Sequence, residues 1–113
     1  MREVKFKFWL GHTKKMTYEH TIIEISNAHW DFTEDIIPLQ FTGLKDKNGK
    51  EIYEGDIEQD GGRIFYNESI AAFQIDYGGD VDIADMEDVD KWMVVSGNIY
   101  ESPELLNPLN QQS

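Results

Sequence analysis

The stretch LQFTGLKDKNGKEIYEGDI, residues 39–57, decides the fold. Asn48-Gly49 stands between Phe41-Thr42-Gly43-Leu44 on one side and Ile52-Tyr53 on the other. Asn-Gly readily supplies two successive positive-φ positions, so the pair predicts a type I′ hairpin connection across Asp46–Lys50. Glu54-Gly55-Asp56 offers a second tight turn, after which Ile57 opens another extended piece. The segment therefore reads as short strands joined by glycine corners.

The same pattern continues on both sides. Toward the N-terminus, Val4, Phe6, Phe8 and Leu10 alternate with Lys5 and Lys7, a period of two that predicts a strand with its lysines outward. Residues 11–16 read as a turn and residues 18–25, rich in β-branched side chains, as a second extended run. Residues 26–37 show no clean period and read as irregular, ending at Pro38. Toward the C-terminus, Asp60-Gly61-Gly62 predicts a turn and Ile64 to Tyr66 leaves it. Phe73, Ile75 and Tyr77 alternate with Gln74 and Asp76 in another half-buried strand, closed by Gly78-Gly79. Ile83, Met86 and Val89, at a spacing of three, predict one or two turns of helix. Trp92 to Tyr100 is apolar nearly throughout until Gly97-Asn98 and predicts a strand buried on both faces or crossing a barrel. Ser102-Pro103-Glu104 then supplies an N-cap, a proline for the first helical position and an acid for the positive helix end, with Leu105 and Leu106 docking on the body. Turn signals recur at the spacing of about eight to twelve residues found in sandwiches and small barrels. The expected fold is mostly β, with only a minor α+β character. It is a strongly bent sheet or small barrel of SH3-like kind, carrying a short C-terminal helix.

Composition narrows the chemistry. A chain of 113 residues fits one domain, 1–113. Ten basic residues against 22 acidic give a net charge of −12, which disfavours clamping of phosphate backbones. Residues 1–57 are net −2 and residues 58–113 net −10, so the excess lies in the second half. Asp76, Asp80, Asp82, Asp85, Glu87, Asp88 and Asp90 form a run without a base, which reads as a solvated acidic loop or as a candidate interaction surface. With no cysteine, disulfides, thiolate metal sites and cysteine nucleophiles are absent. The N-terminus lacks the uninterrupted apolar core of a secretory signal, and no stretch approaches the roughly 20 apolar residues of a membrane span.

No constellation of reactive side chains stands out. Asp46-Lys47-Asn48 begins like a calcium loop but fails at Lys50 and at Glu51, where glycine is needed; Asp80 and Asp82 fail likewise at Ala84 and Asp85. His12, His20 and His29 are spaced without metal-ligand or general-base partners, and Ser102 is better explained as a cap than as a nucleophile. The expectation is no catalytic residue, no metal and no cofactor. Tyr53, Glu54, Gly55 and Asp56 form a turn that, by analogy with small barrels, would lie beside a ligand groove. The many aromatic side chains exceed what one small core usually holds, which predicts exposed aromatics and self-association.

Residues 39–57, residues 97–106 (GNIYESPELL) and the opening MREVKFKFW with Lys15-Met16 resemble the YopX family of small bacteriophage and prophage proteins. The resemblance implies a β-rich fold, phage origin and the host bacterial cytoplasm; it implies no reaction and carries over no catalytic residue. Two departures stand out. Phe8 precedes Trp9 where a small residue is common, and Glu58-Gln59 replaces the usual apolar start after the Gly-Asp-Ile run, which predicts that this strand leaves the core past Ile57.

The functional expectation is a non-enzymatic protein-interaction module, homo-oligomeric and binding a host or phage protein, with no membrane and no nucleic-acid partner. The alternatives are an anionic nucleic-acid mimic acting through the acidic run, and direct nucleic-acid binding through Lys5, Lys7, Lys14, Lys15, Lys45, Lys47 and Lys50.

Overall fold

The computed structural model describes residues 5–11, 13–18, 36–78 and 83–106. The strand that organises them is β3, Ile36–Lys45, because it serves two partners in turn. Strand β1 (Phe6–Leu10) pairs antiparallel with β2 (Lys15–Tyr18) on one side and with the first half of β3 on the other, Phe6 opposite Gln40 and Leu10 opposite Ile36. The second half of β3 pairs with β4 (Glu51–Tyr53). There the step from Phe41 to Lys45 is matched only by Tyr53 to Glu51, so β3 bulges. Gly43, at φ +88°, supplies the left-handed residue. The Thr42 hydroxyl repairs the ladder by donating to the Ile52 carbonyl at 2.8 Å and accepting from the Leu44 amide at 3.1 Å.

From β4 the chain turns through Gly55 (φ +87°) into β5, Asp56–Glu58, and enters a second sheet. Its order is β8-β7-β6-β5-β9, with β6 at Arg63–Asn67, β7 at Ala72–Asp76, β8 at Ile83–Asp85 and β9 at Val95–Asn98. One helical turn, α1 (Val89–Trp92), precedes β9, and a 3-10 helix at Pro103–Leu105 follows it. The fold is mostly β with a short C-terminal helix. Ile52, Ile64, Phe73, Ile75, Val89, Met93 and Val95 form the core.

Several expectations are corrected, each for a local reason. The 46–50 connection is not type I′: among the described residues only Gly49 there has positive φ (+82°), and Gly49 N–H donates to the Asp46 carbonyl while Asp46 N–H donates to that of Lys50. The result is a type I turn closed by a glycine bulge. Lys15 and Met16 belong to β2, and Ile36 to Pro38 belong to β3. Pro38 is tolerated there because Phe41 N–H points to β1 (Lys5 carbonyl, 2.8 Å) and the Gln40 backbone points away toward Glu54. By strand alternation the Pro38 nitrogen also faces away from β1, along the part of β3 that β4 does not reach. Ile83 to Asp85 form a strand rather than a helix, since they pair with β7, and Trp92 ends α1 rather than starting a strand. Ser102 precedes the 3-10 helix but makes no side-chain cap; its carbonyl accepts from Leu105 N–H, and Leu105 stays 41% exposed. Residues 19–35, His12, Gly79, Asp80 and Asp82 lie outside the described residues.

Among the described residues four charged side chains are buried: Lys7, Asp46, Asp56 and Glu58. The strand does not leave the core past Ile57. Glu58 is enclosed because its Oε1 accepts from the amides of Asp60 (2.7 Å) and Gly62 (2.9 Å) and its Oε2 accepts from the Tyr77 hydroxyl at 3.1 Å. The next residue, Gln59, acts on the same neighbourhood from the surface, donating to the Trp92 carbonyl and accepting from Val94 N–H. Asp46 ties the β3–β4 hairpin to the second sheet. Its Oδ1 accepts from Asn48 N–H and Lys50 N–H and its Oδ2 from Val95 N–H, each at 2.9 Å. Burial is the largest influence on this carboxyl and opposes ionisation, but the amides of Val95, Lys50 and Asn48 together outweigh it and hold its pKa below the ordinary aspartate range.

Replacing Asp46 by Ala strands those amides and is expected to cost about 3 kcal/mol. Asp46→Asn, which turns an NH2 toward at least one N–H, is expected to cost about 2 kcal/mol. Because the folded pKa is depressed, the stability difference between the wild type and Asp46→Asn is full above about pH 4 and vanishes as pH falls through the folded value, which urea unfolding at pH 7, 5 and 3 reads directly. Gly62→Ala is a second check on this region. A Cβ there would stand 2.5 Å from Ile75 Cγ2 and 2.7 Å from Tyr77 Cε1, so the variant is expected to lower the melting temperature, more than Gly49→Ala, which meets nothing within 4 Å and carries only the backbone strain of an L residue at φ +82°.

Candidate functional site

The Tyr53-Glu54-Gly55-Asp56 turn is where the chain passes from one sheet to the other, and its four residues divide. Tyr53 and Asp56 point inward; Glu54 and Gly55 line a cleft of about 200 Å³. Opposite them stand Ile37, Pro38 and Leu39 of β3, Arg63, Ile64 and Phe65 of β6, and Ile99 with Tyr100. The cleft exists because β4 ends while β3 continues. Behind it, Asp56 Oδ2 accepts from Tyr53 N–H at 2.8 Å and Oδ1 accepts from Lys7 Nζ at 3.0 Å, with Nζ 4.7 Å from the Tyr53 ring centre. Lys7 was expected outward; the Asp56 charge and the Tyr53 ring draw it in, leaving Phe6 and Phe8 only half-buried. Burial pushes the Asp56 carboxyl above its ordinary range, against the opposing pull of Lys7 and the Tyr53 amide.

At the mouth of the cleft, Tyr100 stacks on Trp9 with ring centres 5.6 Å apart. Burial first, and then the Glu54 carboxylate, raise the Tyr100 hydroxyl above the ordinary tyrosine range, while Arg63 pulls the other way. Arg63 Nη2 reaches Asp76 Oδ2 at 3.3 Å, and its Nε is buried without a hydrogen-bond partner.

The described residues of the acidic run do not form one array. Asp76 pairs with Arg63 and accepts from Gly78 N–H; Asp85 accepts from Gln74 Nε2 at 2.8 Å on the neighbouring strand. Asp88, in the left-handed region at φ +53°, lies 3.8 Å from Lys91. Glu87 and Asp90 are exposed, and the Glu87 carbonyl accepts from Trp92 Nε1. The lysines are likewise divided: Lys5 pairs with Glu51, Lys7 is buried, and Lys14, Lys15, Lys45, Lys47 and Lys50 are exposed.

A second concavity was not foreseen. Two depressions of about 280 and about 580 Å³ share Gly43, Leu44 and Met86 and so run together as one groove. The first is completed by Thr42, Ala71, Ala72 and Phe73, the second by Lys45, Asp88, Val89 and Asp90. Its most exposed large apolar side chain is Leu44, at 37%. Among the described residues Phe41, Tyr53 and Phe73 are buried, most other aromatics, including the stacked pair Trp9–Tyr100, are half-buried, and Tyr66, packed edge-on against Phe73, is the one exposed aromatic. The bulge at Gly43 turns Leu44 out, and no local periodicity announces that.

A family model described as YopX protein matches residues 5–107. The chain belongs to the YopX family. No curated protein matches it. Among solved structures, this YopX-family chain is similar to protein EF1440 from Enterococcus faecalis, at 24% identity and a TM-score of 0.61, over 94% of this chain and 99% of that one. That likeness concerns the fold. Among the described residues no helix is long and apolar enough to cross a membrane.

The buried pair behind the cleft gives a test of what holds the turn. Lys7→Met leaves Asp56 buried without its cation and is expected to cost about 3 kcal/mol at pH 7, whereas the double variant with Asp56→Asn recovers most of the loss. Since the Asp56 pKa is already raised, the deficit of Lys7→Met is expected to shrink as pH falls and Asp56 takes up a proton; a deficit unchanged between pH 8 and 5 in chemical denaturation would contradict the assignment.

Proposed function

We propose that this YopX-family chain is a non-enzymatic protein-interaction module of a bacteriophage or prophage, working in the host bacterial cytoplasm through the Leu44–Met86 groove. The observation that carries this reading is the groove itself: exposed aliphatic surface on Leu44, bordered by charge from Lys45, Asp88 and Asp90, the arrangement of an apolar centre within a polar rim. The buried acids point the same way. Asp46, Asp56 and Glu58 spend their oxygens on backbone amides, Lys7 and Tyr77, which is structural work. The anionic-mimic reading is weaker, because Asp76 and Asp85 are turned to neighbours within the chain instead of being presented as a row.

A photo-crosslinking amino acid placed at Leu44, in the bacterium that carries the gene, is expected to yield one discrete adduct, and the same group at Glu104 on the 3-10 helix none. Smearing at both positions, or nothing at Leu44, would refute the reading.

A further inference from the structure

We infer that the occupant of the Leu44–Met86 groove is the same groove of a second copy, in a two-fold symmetric dimer; this rests on the reading of that groove as an interface. The argument is the distribution of charge around it. One lip is the end of β3 and carries Lys45; the other is the start of α1 and carries Asp88 and Asp90; between them lie Leu44, Met86 and the buried Val89. A groove of one sign would call for a partner of the opposite sign. This one carries both signs on opposite lips, so a two-fold axis through its middle sets Lys45 of each copy against the carboxylates of the other, twice over, and stacks Leu44 on the facing apolar floor. Asp88 keeps only an exposed 3.8 Å contact with Lys91 within its own chain, loose enough to share. The net charge of −12 repels two copies at long range, but at physiological salt screening confines that repulsion to about 8 Å, whereas the contacts across the axis are closer. The exposed apolar side chain is at the centre and the charges at the edge, the order in which interfaces place their anchors.

The test is a charge exchange read by sedimentation equilibrium at 0.15 M salt. The wild type is expected to reach twice the 13.1 kDa chain mass at concentrations up to about 100 µM. Leu44→Asp is expected to weaken the dimer at least about tenfold. Lys45→Asp alone and Asp88→Lys/Asp90→Lys alone are each expected to be monomeric, because each homodimer then faces like charges twice. An equimolar mixture of these two variants is expected to dimerise again, since every contact across the axis is then between opposite charges. Recovery on mixing also shows that both variants are folded. A wild-type dimer indifferent to all of these changes places the interface elsewhere and overturns this inference. A monomeric wild type overturns it too, and if the Leu44 crosslink then joins a different protein, the reading of the groove as an interface stands without it.

Discussion

Asp46 is the residue on which the arrangement of the two sheets depends. Its carboxylate accepts two amides of its own turn and a third from Val95, and so fastens the β3–β4 hairpin to β9. Lys7 and Asp56 make the reciprocal connection, from β1 of the first sheet to β5 of the second. A chain that changes sheets between Tyr53 and Asp56 leaves backbone groups that neither ladder can satisfy, and buried amides without partners are costly. Carboxylates with several acceptor sites are suited to such corners, provided that each oxygen is used. Glu58 solves the same problem at the next turn.

This explains which parts of the structure could be read from the sequence. The turns at Gly49, Gly55 and Gly61 were visible because the left-handed region favours glycine wherever it occurs, and the alternation of Phe73, Gln74, Ile75 and Asp76 was visible because a strand has period two. Those signals are local. Lys7 is separated from Asp56, and Asp46 from Val95, by 49 residues each, and nothing in the periodicity of either segment announces the other. For the same reason Glu58 read as an interruption of an apolar strand, although its three hydrogen bonds make it part of the core.

The candidate site shows the same division. The Glu54-Gly55 turn was recognised from its residues, and it does border a cleft, because the turn fixes where β4 stops. The groove at Leu44 is assembled from the end of β3, the entry to β7 and the approach to α1, three segments whose proximity follows from the bulge at Gly43 and the Asp46 tie. Among its described residues the acidic run that dominated the sequence contributes to it through Asp88 and Asp90, while Asp76 is drawn to Arg63 and Asp85 to Gln74. Charge density along a chain says little about charge density on a face.

Pro38 has a consequence for behaviour at high concentration. The margin of β3 that β4 leaves uncovered would otherwise offer alternating donors and acceptors to any extended chain. With a pyrrolidine ring at its midpoint that margin can accept but cannot give at the position where an added strand would need it, and the ring stands in the way of close approach. The longest strand among the described residues thereby presents a margin poorly suited to templating a further strand.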